Sequence, residues 1–109
     1  MFFNKRSPMG KKPSAAAKYL NEKKLKYVTQ RGADGVETVI CRDSVILSRN
    51  DCICIYDGAD AVFRCKIDEM EAGELMSLEG VVITAPDLTK GGERVTVIAY
   101  YKYWREVRT

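Results

Sequence analysis

The chain has 109 residues, enough for one domain. An apolar fraction of 46% against 30% charged residues excludes a disordered chain. The absence of histidine excludes Ser-His and Cys-His catalysis and removes the commonest metal ligand. The net charge of +3 hides a division: residues 1–31 hold nine basic side chains and one acidic, a net +8, and the remainder hold nine basic and fourteen acidic, a net −5.

Met1, Phe2 and Phe3 are followed at once by Asn4, Lys5 and Arg6, which is not the order of a secretory signal. No run approaches the ~20 apolar residues of a membrane span. The expected compartment is therefore the cytoplasm. Residues 1–13, with two prolines, a glycine and like charges, read as a tail. Residues 14–24 predict a short helix, with Ser14 as its cap and alanine, leucine and lysine as helix formers. The expected organisation is a basic arm with a short helix over 1–24 and a β domain over 25–109.

From residue 25 the pattern becomes β-rich. Residues 25–30 and 36–41 predict strands around a Gly32-Ala33-Asp34-Gly35 turn. Arg42-Asp43 predicts a turn into a strand over 44–48, and Arg49-Asn50-Asp51 another into 52–56. Asp57-Gly58-Ala59-Asp60 leads into 61–67. Residues 68–79 are acidic and contain a glycine, so they predict a connection or a short helical turn. Residues 81–84 predict a strand ending before Pro86, Gly91-Gly92 a turn, and residues 94–104 the longest strand. Short strands punctuated by Gly, Asp and Asn predict a mostly β, single-domain antiparallel meander, curled into a small barrel or sandwich with a short N-terminal helix.

The cysteines Cys41, Cys52, Cys54 and Cys65 sit in apolar runs and read as buried thiols. A two-residue turn centred on Ala59-Asp60 would set Cys54 opposite Cys65, so that three thiols share one face. Cys41 would lie apart, and paired C-x₂-C knuckles are missing, so no metal or other cofactor is expected. The carboxylates Asp68, Glu69, Glu71 and Glu74 do not follow a calcium-loop pattern and read as a solvated connection. No phosphate-binding glycine loop is present and no catalytic residue can be named.

The final strand is the most informative segment. Alternation places Val95, Val97, Ala99, Tyr101 and Tyr103 on one face and Thr96, Ile98, Tyr100, Lys102 and Trp104 on the other. Both faces are apolar enough to need cover. Either the helix covers the second face through Tyr19 and Leu20, or the face is an interface, for which Ile98, Tyr100, Tyr101, Tyr103 and Trp104 are the candidates. Base stacking beside Lys102, Arg105 and Arg108 is a further possibility, opposed by the acidic body.

The stretches Gly35-Val36-Glu37, Asp43 to Leu47, Ile55-Tyr56-Asp57-Gly58, Glu71 to Leu75 and Leu78 to Val82 together resemble the YabP/YqfC family of bacterial sporulation proteins over residues 36–83. The resemblance implies a non-catalytic part in building a spore or its coat. The basic N-terminal segment and the aromatic final strand depart from that pattern. The expected function is a structural or protein-interaction module that self-associates. The alternative is an anionic-partner binder, for nucleic acid or an acidic membrane surface, acting through Lys5, Arg6, Lys11, Lys12, Lys18, Lys23, Lys24 and Lys26. No small-molecule substrate is evident.

Overall fold

A computed structural model describes residues 13–102. A helix, α1 (Pro13–Leu20), precedes seven strands: β1 (Lys24–Arg31), β2 (Glu37–Arg49), β3 (Cys52–Asp57), β4 (Asp60–Lys66), β5 (Glu71–Glu74), β6 (Gly80–Asp87) and β7 (Glu93–Tyr101). Short 3₁₀ turns at Ile67–Glu69 and Leu88–Lys90 lead out of β4 and β6. All strands belong to one antiparallel sheet in the order β4-β3-β2-β1-β7-β6-β5. Two meanders are thus joined where β7 lies beside β1.

The chain connectivity forces this sheet to curl. β4 and β5 are its two edges, yet only residues 67–70 separate them. In a flat sheet six inter-strand gaps would hold the edges about 29 Å apart. Even a fully extended link from residue 66 to 71 reaches only about 18 Å. The sheet therefore bends into a half-barrel and brings its edges towards one another. Ile67 N–H donates to Asp51 O at 2.9 Å, tying the link to the β2–β3 turn.

The core fills the concave face. Leu25, Val28, Ile46, Ile53, Ile55, Phe63, Val81, Ile83 and Val97 are fully closed to solvent there. Helix α1 closes the opening with Ala16, Ala17 and Leu20, the small alanines allowing close approach to the sheet. Pro13 opens this helix, where its fixed φ suits the first helical position. Ser14 therefore lies inside the first turn rather than capping it. Glu22 N–H donates to Ile46 O and Ser48 N–H to Asn21 Oδ1, so the helix end is stitched to β2. The helix shares the core of the strands, and the boundary drawn after residue 24 does not separate it from them.

Several local expectations are altered. Arg42-Asp43 is not a turn, because β2 runs unbroken for 13 residues. Asp43 instead takes φ +51 within the strand, and Lys102 Nζ holds its carboxylate at 2.6 Å. Aspartate tolerates this left-handed backbone better than most residues. The acidic stretch 68–79 contains strand β5 as well as a 3₁₀ turn. Asn50 and Asp51 both have positive φ, as a two-residue type I′ turn requires. The β3–β4 turn is Gly58-Ala59, since Asp57 pairs with Asp60, and a bulge at Val62 follows.

That register separates the thiols. Cys54 lies opposite Arg64, whereas Cys65 lies opposite Ile53 and points into the core. The three thiols predicted to share one face therefore occupy two. Burial pushes the Cys65 thiol up to about 12 and also raises Cys41, whose thiol donates to Ser44 Oγ at 3.5 Å. All four cysteines are free. Among the described residues no group of three metal-ligating side chains is drawn together.

Candidate interaction face

The half-barrel has a convex face as well as a concave one. Two bulges decide which side chains reach it. Lys26 has no partner in the β1–β7 register, and Ile40 has none between β1 and β2. With these extra residues absorbed, the pairing builds rows of side chains across strands far apart in sequence.

The first row is polar and runs Glu37, Arg31, Thr96, Thr84, Glu71 from β2 to β5. The Thr84 and Thr96 hydroxyls lie 2.9 Å apart, and Arg94 approaches Glu71 at 3.4 Å. The second row runs Val39, Thr29, Ile98, Val82 and ends at Gly73. Val82 and Ile98 are buried yet lie outside the concave core cluster, while Val39 is 42% exposed. The third row runs Arg42, Tyr27, Tyr100 and ends at Gly80. The two tyrosine rings have centroids 4.6 Å apart, and the Arg42 guanidinium lies 5.9 Å from the Tyr27 centroid. Gly80 is required by its own strand pair, because a Cβ there would overlap the carbonyl oxygen of Ala99.

One carboxylate links the rows. Glu37 Oε1 accepts from Thr29 Oγ1 at 2.7 Å and from Tyr100 Oη at 3.3 Å. Burial, followed by the charge and hydrogen bond of Glu37, raises the Tyr100 hydroxyl above its ordinary value. Tyr100 is therefore a neutral hydroxyl donor at pH 7. The arrangement offers an aliphatic and aromatic strip, exposed at Val39 and half-exposed at Tyr27 and Tyr100, beside one charged and polar row, and among the described residues of this face no nucleophile is paired to a base.

The sequence-predicted interface residues divide. Ile98 and Tyr100 lie on this face, Ile98 being 1% exposed. Tyr101 does not: it is 5% exposed and belongs to the concave core, packed under α1. The reason is the helix position. Leu20 packs on the Tyr101 side of β7, so α1 covers the first face and not the Ile98–Tyr100 face. Tyr103 and Trp104 lie outside the described residues. Tyr27, Val39, Arg42 and Val82 were missed. Nothing within their own strands marks them, since they join the face only through pairing with β7 and with each other.

The basic candidates also divide. Lys5, Arg6, Lys11 and Lys12 lie outside the described residues. Lys18, Lys24 and Lys26 are exposed, and Lys23 is half-buried, its Nζ 4.4 Å from the Tyr19 ring centroid and 5.6 Å from that of Tyr101. Among the described residues no helix is long and apolar enough to cross a membrane. No family model, curated protein or solved structure matches this chain.

Proposed function

We propose that this chain is a non-catalytic interaction module that associates with further copies of itself through the convex face of β2, β1, β7 and β6. The observation that carries the reading is the aromatic and aliphatic strip: the Tyr27–Tyr100 ring pair beside Val39, which stays 42% exposed at its end. Aromatic side chains with arginine at the margin are the composition that interface centres favour. A two-fold interface must be self-complementary, and this face supplies both signs: Arg31 and Arg42 against Glu37 and Glu71. The lack of histidine and of any nucleophile–base pair on this face supports a binding role over a catalytic one. The spore-assembly role implied by the YabP/YqfC resemblance would be one setting for such association.

Light scattering across a concentration series tests the reading. The chain mass is 12.3 kDa, and the expected result is a stable multiple of it. Val39→Glu, at an exposed strand position, is expected to return the mass to that of a single chain without altering the circular dichroism spectrum. A single-chain mass at the highest attainable concentration would overturn the reading.

A further inference from the structure

A second surface, separate from the convex face, is unexplained by folding. The loop between β5 and β6, residues 75–79, exposes Met76 at 85% and Leu78 at 58%. It is not a loose loop. Leu75 N–H donates to Gly80 O at 2.9 Å, Leu78 N–H to Leu75 O at 2.8 Å, and Glu79 N–H to Ser77 Oγ at 3.3 Å. Leu78 holds φ +65, a backbone region that favours glycine, so the local geometry alone would select another residue. Two large apolar side chains are thus fixed outward on an ordered tip.

The surroundings show what such a tip would meet. Tyr19 lies beside it, 48% exposed, with its hydroxyl donating to Glu74 at 3.4 Å at the start of the loop. Tyr101 N–H donates to Glu79 O, and Lys102 N–H to Lys24 O, which places the start of β1 at the same end of the molecule. Lys18, Lys24 and Lys26 are exposed there, and Lys23 lies over the Tyr19 ring. Glu22, Glu74 and Glu79 balance part of this charge.

We propose that this end of the molecule docks on an acidic lipid bilayer, with Met76 and Leu78 entering the headgroup–acyl boundary and the lysines facing the anionic headgroups. Apolar side chains on a protruding tip backed by cations match a membrane interface, where burial of apolar area and attraction to anionic lipid act together. An exposed tyrosine at the level of the headgroups fits the same environment. Nucleic acid would use the cations but has no place for an aliphatic tip.

The test is co-sedimentation of the full chain with vesicles of phosphatidylcholine alone and of phosphatidylcholine mixed with phosphatidylserine. Binding is expected only to the acidic vesicles and is expected to weaken as salt rises. Met76→Ser and Leu78→Gly are each expected to weaken it by about tenfold, the loss of one partly inserted apolar side chain. Neither is expected to lower the melting temperature, since Met76 is exposed and glycine suits the φ of Leu78. Absence of binding to acidic vesicles would overturn the proposal. So would binding that both tip variants leave unchanged, or retention of the chain on DNA in place of vesicles.

Discussion

Asp87 closes the half-barrel, and removing its carboxylate is the sharpest test of the fold. Its side chain is fully buried. Oδ1 accepts from Arg64 N–H at 3.2 Å, Thr89 N–H at 3.0 Å and Thr89 Oγ1 at 2.8 Å, and Oδ2 from Lys90 Nζ at 2.9 Å. The Arg64 bond ties edge strand β4 to the end of β6, across the gap in the sheet. Thr89 and Lys90 reach solvent and can rehydrate when the carboxylate is lost. The Arg64 and Thr89 amides are less able to. At about 1–3 kcal/mol for each of these two amides left unsatisfied, Asp87→Ala is expected to cost about 2–6 kcal/mol. That corresponds to a fall in melting temperature of roughly 10–40 °C for a domain of this size. Asp87→Asn keeps an acceptor and is expected to cost about 1 kcal/mol. Burial, the largest single influence, opposes ionisation of Asp87, but the hydrogen bonds from Lys90, Thr89 and the Arg64 amide outweigh it and hold the carboxyl below its ordinary range. A depressed folded-state value means that the unfolded chain binds the proton more readily. The stabilisation is therefore present above the unfolded value of about 3.9 and is lost as pH falls below it towards the folded value. Urea unfolding followed by circular dichroism at several pH values measures this. The excess stability of the natural chain over Asp87→Asn should be constant from pH 7 to 5 and shrink below pH 4. An Asp87→Ala cost under 1 kcal/mol, or an excess that does not change with pH, would refute the reasoning. Faster hydrogen exchange at the Arg64 amide would localise the effect.

Two further outcomes follow from burial. The Tyr101 hydroxyl is buried without a hydrogen-bond partner among the described residues. Tyr101→Phe is therefore expected to leave stability unchanged or raise it by up to about 1 kcal/mol in the same urea assay; a loss larger than that would show a partner for the hydroxyl. Of the four thiols, Cys41, Cys54 and Cys65 are buried and Cys52 is half-buried. Titration with a thiol reagent at pH 8 is expected to label one cysteine quickly in the folded protein, identified as Cys52 by mass spectrometry, and the other three only on unfolding.

The fold class was legible in the sequence because it rests on local regularities. Alternation along residues 94–101 assigned Val95, Val97, Ala99 and Tyr101 to one face and Thr96, Ile98 and Tyr100 to the other, and the structure keeps that division. Asn50-Asp51 marked a turn because both residues tolerate positive φ. What alternation does not contain is which face is covered. The packing of Leu20 decided that, turning Tyr101 into a core residue and leaving Ile98 and Tyr100 on the convex side.

Cross-strand neighbours were beyond reach for a related reason. A strand's period is two, so every bulge reverses which face the following residues occupy. Val62, Ile40 and Lys26 each introduce such a reversal, and no residue type announces it. This separated Cys54 from Cys65 and assembled Tyr27, Arg42, Val39 and Val82 beside Tyr100. The half-barrel closure through Asp87 is likewise tertiary: Arg64 and Asp87 meet only because residues 67–70 are too short to span a flat sheet. By itself the sequence determined most of the strands, the Asn50-Asp51 turn and the absence of histidine chemistry, all properties of neighbouring residues. The tertiary structure alone decided register parity, helix placement and edge closure, because each depends on contacts between segments that chain-local periodicity does not couple.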